Sequence, residues 1–168
     1  MMKKGFTLVE ILIYFAIIGV VMLAFISFSV QILTVSNITQ NFGEVQSTLN
    51  LVNYKVTSAI HTADSVDVGN SVFDSDEGAL SLNFSEASVS PTMFYFSAGD
   101  VYMKEGANTA VKLNSDDIAF SVFRFHRSIY NQAPDQIIFD AIISSKNVDI
   151  SNVNKSVSSH LSITLRNL

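Results

Sequence analysis

One stretch decides how this chain is organised: residues 1–25, MMKKGFTLVEILIYFAIIGVVMLAF. It contains two lysines, Lys3 and Lys4, and one acid, Glu10, and the next charged residue is Glu44. An uncharged, largely apolar helix of about 20 residues or more is long enough to cross the roughly 30 Å hydrocarbon core of a bilayer. Because lysines beside a span tend to stay in the cytoplasm, we predict a cytoplasmic N-terminus and an outward C-terminal portion.

Glu10 stands at the entrance of this apolar stretch. A carboxylate at membrane depth costs on the order of 2.5 to 3.5 kcal/mol, and somewhat less near the edge, so it needs a cationic partner. If the chain is cut between Gly5 and Phe6, the new α-amino group of Phe6 lies one helical turn from Glu10. The carboxylate then lies in the first turn of a helix, where the dipole favours negative charge, and it can also neutralise the amine of a neighbouring subunit.

The order of residues at the N-terminus resembles the prepilin leader of the type IV pilin and pseudopilin families. The shared features are a basic leader, glycine, phenylalanine, Thr-Leu, any residue, glutamate and then an apolar helix, which here read KKGFTLVE followed by ILIYFAIIGVV. The resemblance implies that a membrane prepilin peptidase cleaves after Gly5 and N-methylates Phe6. It also implies that Lys3 and Lys4 belong to a leader peptide, residues 1–5, and that Glu10 supports docking into a filament.

Two other processing routes stay open on the residues alone. A secretory signal combines a basic start, a short apolar stretch and a small-x-small cleavage site, and residues 27–29, Ser-Phe-Ser, have that form. A plain membrane anchor needs no cleavage. The mature N-terminus distinguishes the three routes: Phe6 for a prepilin, Val30 for a secreted protein and Met1 for an anchor. The alternative function is therefore a membrane-anchored or secreted β-rich binding protein.

A second helical pattern follows the apolar stretch. Apolar residues recur at alternating three- and four-residue spacings, which places them on one face of a helix. No proline occurs before Pro91, so we predict a single helix from Thr7 to His61. Residues 6–35 are its transmembrane and assembly part, and residues 36–63 are an amphipathic part that packs on a head. The apolar face consists of Ile38, Phe42, Val45, Leu49, Val52, Val56 and Ile60.

From residue 64 the apolar pattern changes to a period of two, in short runs rich in β-branched and aromatic residues, which is typical of strands. Turn-forming residues separate the runs, and residues 146–159 are predicted to form a longer polar loop. In the run that begins at Ile118, the apolar residues change from one face of the strand to the other near Val122, which predicts a β-bulge there. The predicted strands lie within residues 79–84, 93–96, 101–103, 111–113, 118–130, 136–144 and 161–165.

One long helix followed by an antiparallel sheet is an α+β fold, with the head in residues 64–168. This order is similar to the pilin fold, and residues 93–125 are similar to larger minor pilins and J-type minor pseudopilins. A strand-rich head without cysteine, and Ser27 where major pilins often carry a helix-kinking proline, favour a minor subunit. The resemblance implies an inner-membrane protein with an outward head. Its implied partners are prepilin peptidase, other pilin or pseudopilin subunits, and membrane lipid before assembly.

The composition argues against catalysis and against nucleic-acid binding. The 168 residues carry a net charge of −5, which repels phosphate, and the absence of cysteine excludes thiolate metal sites and cysteine nucleophiles. His61, His126 and His160 lack metal-type spacing, and no phosphate-binding or nucleophile motif occurs. We therefore predict neither an enzyme nor a bound cofactor. One candidate calcium site, Asp74 with Asp76, is interpreted as a solvated acidic turn.

Overall fold

The computed structural model describes residues 7–129, 135–146 and 156–165. The chain divides into two compact units, Met1–Gln40 and Asn41–Leu168. The predicted leader, residues 1–5, lies outside the described residues, as does Tyr130 at the end of one predicted strand. The described elements are one long helix followed by antiparallel strands, which confirms the predicted α+β class.

A single α-helix, α1, runs from Leu8 to Thr62, within one residue of both predicted bounds. Phe42 departs from the prediction, because it is 41% exposed and the buried face begins one turn later, at Val45. The side chain of Ile38 lies outside the described parts of the chain. The remaining five residues of the predicted apolar face are buried, which confirms their role: Val45, Leu49, Val52, Val56 and Ile60.

The head contains two antiparallel sheets where the sequence suggested one. The first sheet has five strands in chain order, and a 3-10 helix, Val68–Asn70, lies between its first two strands. Its two outer strands are only two residues long. The strands are β1 (Ser65–Val66), β2 (Ala79–Asn83), β3 (Thr92–Ser97), β4 (Asp100–Glu105) and β5 (Val111–Lys112).

The second sheet has three longer strands in the order β6-β7-β8, namely β6 (Ile118–Ser128), β7 (Gln136–Ser145) and β8 (Ser156–Thr164). The pairing register between β6 and β7 shifts between Phe120 and Val122, which confirms the predicted bulge. A bulge lets one strand change the face that it buries without ending the pairing.

The predicted start of β8 is wrong. The strand begins at Ser156 rather than at residue 161, and it pairs with β7 through residue 164. Its first half alternates serine with only one apolar residue, Val157, so the sequence lacks the apolar period that marks a strand. Pairing with the long, apolar β7 compensates for this weak local preference. Residues 147–155 of the predicted loop lie outside the described residues.

Main-chain hydrogen bonds join the segment that precedes β2 to the side of β6 that does not pair with β7. The Gly78 amide donates to the Phe123 carbonyl at 2.8 Å, and the Phe123 amide donates to the Asp76 carbonyl at 2.8 Å. A Cβ on residue 78 would lie 2.6 Å from the Phe123 carbonyl oxygen, which is too close for any other side chain. Glycine at this position therefore permits the close approach between residues 74–78 and β6.

Aromatic rings fill the core beneath α1. Phe123 and Phe125 on β6 and Phe139 on β7 are fully buried, with ring centroids between 5.0 and 5.2 Å apart. Phe123 contacts the other two edge-on, and such pairs contribute about 0.5 to 1.5 kcal/mol beyond their buried area. Core packing thus accounts for this part of the chain's phenylalanine content.

Asn114 connects β4 with β6 from the turn that precedes β6. It is 6% exposed, and its Oδ1 accepts a hydrogen bond from the Val101 amide at 2.9 Å. Its Nδ2 donates to the Ile118 carbonyl at 2.8 Å and to Asp100 Oδ1 at 2.9 Å. One side-chain amide therefore satisfies main-chain groups of both sheets, and its loss leaves buried polar groups without partners.

Replacing Asn114 by alanine is expected to destabilise the head by about 2 to 3 kcal/mol, because a buried donor and acceptor lose their partner. The measurement is urea unfolding of the full chain in detergent micelles. The midpoint concentration of urea should fall, while the dependence of the unfolding free energy on urea concentration should not change. Asn108→Ala, at an exposed loop position, is the matched control and should change stability by less than about 0.5 kcal/mol. Equal effects of the two substitutions would contradict this role of Asn114.

Candidate assembly helix and charged clusters of the head

Thr7 caps the start of α1, a role that the sequence analysis missed. The Glu10 amide donates to Thr7 Oγ1 at 3.3 Å and to the Thr7 carbonyl at 3.1 Å. The overlooked signal is the T-x-x-E pattern of residues 7–10, a capping box whose first side chain accepts from the amide three residues later. The cap determines where the helix begins and therefore places Glu10 in its first turn.

The Glu10 carboxylate has no cationic partner among residues 7–129, 135–146 and 156–165. Glu10 is half-buried, and its position in the first turn agrees with the prediction. The helix dipole at this end favours a negative charge.

The segment Leu8–Ser36 has 29 residues, and its most apolar 18-residue window has a mean hydropathy of 2.8. Within the described chain it is the one helical segment that suits a membrane span. The large apolar side chains along it are between 46% and 76% exposed. Length and composition fit a membrane span and equally fit a signal sequence near an N-terminus. The difference between the two depends on where the chain is cleaved.

Three hydroxyl groups within this segment donate to main-chain carbonyls of the helix itself. Ser27, Ser29 and Thr34 each donate to the carbonyl four residues earlier, at 2.9, 2.9 and 3.0 Å. An unpaired hydroxyl in an apolar medium costs several kcal/mol, on the order of 4 to 8, so these bonds make the segment compatible with hydrocarbon. Both serines of the alternative secretory site, Ser27 and Ser29, lie inside α1.

The predicted processing residues lie outside the described residues. They are Gly5 and Phe6 at the cleavage site, Phe6 also as the methylation site, and Lys3 and Lys4 in the leader. The structure describes the chain from Thr7, directly after this site. The processing assignments therefore stay predictions.

The two candidate calcium ligands face an arginine and a histidine side chain. Asp74 contacts His126 Nδ1 through Oδ1, and Asp76 contacts Arg124 through Oδ1. Arg124 and His126 lie on β6, so the acidic turn is paired residue by residue with this strand. In the described part of the chain, no group of three or more acidic or histidine side chains is arranged to hold a metal ion.

The histidines do not share a site. His126 contacts Asp74, whereas His160 on β8 contacts Asp140 on the neighbouring strand β7. Their side chains are 51% and 71% exposed. His61 lies in the last turn of α1 and is exposed. Each of the three histidines is thus a surface residue.

One hollow of the head lies beside the last turns of α1. Its volume is about 620 Å³, and it is open to solvent on one side. Three acids and one lysine line it together with apolar side chains, namely Asp64, Glu86, Glu105 and Lys55. Ser85 Oγ donates to Asp64 at 2.6 Å, so part of this polar lining is already paired.

Asp100 lies at the centre of an ion-pair cluster at the start of β4. Lys112 Nζ lies 2.9 Å from Asp100 Oδ2, and Lys146 Nζ lies 3.4 Å from Asp100 Oδ1. Hydrogen bonds from Lys112 and then Asn114 lower the pKa of Asp100 to about 2. The hydrogen bond to Asp116, and then the one to Asp100, raises the pKa of Lys112. The cluster links β4 and β5 to the end of β7 and has a structural role.

Comparison with known proteins gives a family match at the N-terminus of the chain. Residues 1–26 match the family model described as the prokaryotic N-terminal methylation motif. No curated protein and no solved structure matches the chain. The match confirms the cleavage and methylation motif that the first ten residues indicated, and it covers none of the head.

Asp100→Asn is expected to lower the stability of the head by about 1 kcal/mol at neutral pH, a value discounted for partial solvent exposure. The folded-state pKa of Asp100, about 2, lies below the unfolded value of about 3.9. Its contribution is therefore complete above about pH 5 and disappears as the pH falls through 2. Urea unfolding of the wild type and of Asp100→Asn from pH 7 to pH 2 should show that the difference between their stabilities disappears at low pH.

Asp116→Asn is the matched control for this pH dependence. Asp116 contacts the same lysine, but its side chain is 98% exposed, so its removal should change stability far less than removal of Asp100. A difference between wild type and Asp100→Asn that stays constant down to pH 2 would contradict the role of the Asp100 charge.

Proposed function

We propose that this chain, which carries the prokaryotic N-terminal methylation motif, is a minor pilin or pseudopilin subunit. Prepilin peptidase cleaves it between Gly5 and Phe6 and N-methylates Phe6. The mature protein is held in the inner membrane by α1, with its head periplasmic or extracellular. It then leaves the lipid and joins a type IV pilus or a type II secretion-like pseudopilus. Its work is mechanical, by contact with other subunits.

The observation that carries this proposal is the exposed apolar surface of α1 directly behind the motif. From Leu8 to Ser36 the helix carries apolar side chains on every side, and none of its most apolar window is buried within the chain. A helix that is apolar all round needs a complete apolar environment. Lipid provides that environment before assembly, and the equivalent helices of neighbouring subunits provide it in a filament.

Glu10 supports the same proposal through its charge. Its carboxylate is half-buried at the helix start and faces no cation among the described residues. Cleavage before Phe6 creates an α-amino cation one helical turn away, on the same chain or on a neighbour. Pairing two such charges in an apolar filament core stabilises one axial register, since a misplaced neighbour leaves the carboxylate unpaired.

The head supports the assignment to a minor subunit. The eight strands among its described residues lie in two sheets, and the chain has no cysteine to close a C-terminal loop. The sequence of residues 93–125 resembles J-type minor pseudopilins, and these residues form β3 to β6 and the turns between them. We therefore propose a position beside other pilin or pseudopilin subunits, with a head that presents a surface of its own.

Gly5→Val is expected to leave a full-length precursor in the membrane. A Cβ at this residue prevents the close backbone approach that cleavage beside glycine permits. Intact-mass spectrometry of the chain co-expressed with a prepilin peptidase measures the outcome. Gly19→Val is the matched control and should be processed normally, because a Cβ at residue 19 meets nothing within 4 Å. Normal processing of Gly5→Val would contradict the proposed cleavage site.

Glu10→Ala is expected to insert and to be cleaved like the wild type, but to enter filaments at least about tenfold less. The reason is that the substitution leaves the α-amino cation without a partner in an apolar core. Breaking a buried pair in this way costs about 3 to 5 kcal/mol, more than the roughly 1.4 kcal/mol of a tenfold change. The measurement is the ratio of sheared-filament protein to membrane-retained protein, after expression with the other subunits.

Two further variants separate charge from position. Glu10→Asp keeps the carboxylate and should restore part of the assembly. Glu86→Ala removes an acid from an exposed loop of the head and should assemble like the wild type. Normal filament entry by Glu10→Ala, or a failure of that variant to be cleaved, would rule out the charge-pairing account.

A further inference from the structure

The start of α1 depends on hydrogen bonds to Thr7. The Glu10 amide donates both to Thr7 Oγ1, at 3.3 Å, and to the Thr7 carbonyl, at 3.1 Å. The Ile11 amide donates to the Thr7 carbonyl at 3.3 Å, which is the ordinary four-residue spacing of an α-helix. The helix accordingly begins at Leu8, directly after the capping residue.

The Glu10 amide is also the donor that a longer helix would need. If α1 extended toward the N-terminus through Phe6, this amide would donate to the carbonyl four residues earlier, which is that of Phe6. In the structure Thr7 accepts from it instead. The cap and an upstream extension of α1 therefore compete for one hydrogen bond, and a capping side chain at residue 7 favours the shorter helix.

Loss of the cap would favour the longer helix because of where α1 begins. The first amides of a helix have no partner within it, and the apolar segment that follows is the proposed span, so these amides lie at the entrance to lipid. Main-chain groups without a partner are costly there. Glycine ranks with threonine as a capping residue, so the next suitable cap upstream is Gly5. A helix capped by Gly5 includes Phe6.

This competition concerns the bond proposed for cleavage, which joins Gly5 to Phe6 immediately before Thr7. Cleavage adds water to the Gly5 carbonyl and breaks its bond to the Phe6 nitrogen, which leaves a carboxylate on Gly5 and an amine on Phe6. In a helix capped by Gly5, the same carbonyl would accept from the Val9 amide four residues later. It would have to leave the helix before a peptidase could bind it in extended form.

We propose that Thr7 is a positioning residue for this cleavage. By capping α1 it keeps the Gly5–Phe6 bond outside the helix, where prepilin peptidase reaches it. The role rests on the proposed function, since it presupposes cleavage at this bond, and it adds a requirement at residue 7. When the helix start moves upstream, fewer chains are ready for cleavage, and the apparent affinity of the peptidase falls by the same fraction.

A direct contact between the threonine side chain and the peptidase is the competing explanation, and substitutions at residue 7 separate the two. Valine has the shape of threonine but no oxygen that can accept a hydrogen bond. Asparagine and serine cap helices at least as well as threonine and differ from it in shape. If Thr7 acts as a cap, processing follows capping ability; if the peptidase contacts Thr7, processing follows shape.

The test measures cleavage of purified full-length precursors in detergent micelles by a purified prepilin peptidase. Thr7→Val should raise KM about fivefold with little change in kcat, because one cap is lost and the competent fraction falls. Thr7→Asn and Thr7→Ser should keep KM within about twofold of the wild type. Thr34→Val is the matched control: it removes a hydroxyl of the same helix that donates to the Val30 carbonyl and caps nothing, and it should be cleaved like the wild type.

The helix start is measured directly in the same proteins, without peptidase. Backbone carbon chemical shifts of Gly5 and Phe6, measured by nuclear magnetic resonance in micelles, report whether these two residues are helical. Thr7→Val should move both residues toward helical shifts, and Thr7→Asn should leave them at the wild-type values. A substitution that only destabilised the chain would not move them toward helix.

Three results would overturn the role of Thr7. The first is an unchanged KM for Thr7→Val. The second is a loss of processing in Thr7→Asn and Thr7→Ser as large as in Thr7→Val, since that result identifies direct contact with the peptidase. The third is a helical chemical shift of Phe6 in the wild type. Each of them leaves the proposed function intact if the wild type is cleaved between Gly5 and Phe6, whereas an uncleaved wild type contradicts the function as well.

Discussion

The apolar side chains of the N-terminal half of α1 have to be removed from water, and nothing in the described part of the chain covers them. From Leu8 to Ser36 none of the most apolar window is buried within the chain. Full burial of one large aliphatic or aromatic side chain contributes about 1.5 to 3 kcal/mol, so the whole segment strongly favours an apolar surrounding. The proposed passage from lipid into a filament exchanges one such surrounding for another. In this proposal Glu10 is the polar residue that selects a register, since apolar contacts alone discriminate poorly between positions.

The same helix meets a different requirement in its second half. From Val45 to Ile60 one face is buried under 5% exposure, while the opposite side carries polar residues. This half packs on two sheets whose strands are held together by a glycine contact at Gly78 and by the side chain of Asn114. The helix therefore has two kinds of hydrophobic surface. Before residue 36 apolar side chains cover all sides of the helix, and after residue 44 they are confined to one face.

Much of this arrangement could be predicted from residue periodicity. The helix bounds, the buried face from Val45 and the bulge before Val122 were correct, because strong apolar periods determine them locally. The first half of β8 was not found, since serine occurs on both of its faces and pairing with β7 rather than local preference forms the strand. The division into two sheets depends on contacts between residues distant in sequence, such as those of Asn114 with Val101 and Ile118. At the N-terminus the order of unlike residues identified the methylation motif, yet the cap by Thr7 was overlooked in the same ten residues.

The position of the mature N-terminus tests the central claim most directly. The chain would be produced in a bacterial membrane together with a prepilin peptidase, and the mass of its N-terminal peptide would be measured. The account predicts a peptide that begins at N-methylated Phe6, with Glu10 as its fifth residue. A peptide that begins at Met1 would identify an anchored binding protein, and one that begins at Val30 would identify a secreted one. Either of these results would contradict the proposal that α1 remains on the mature protein for assembly.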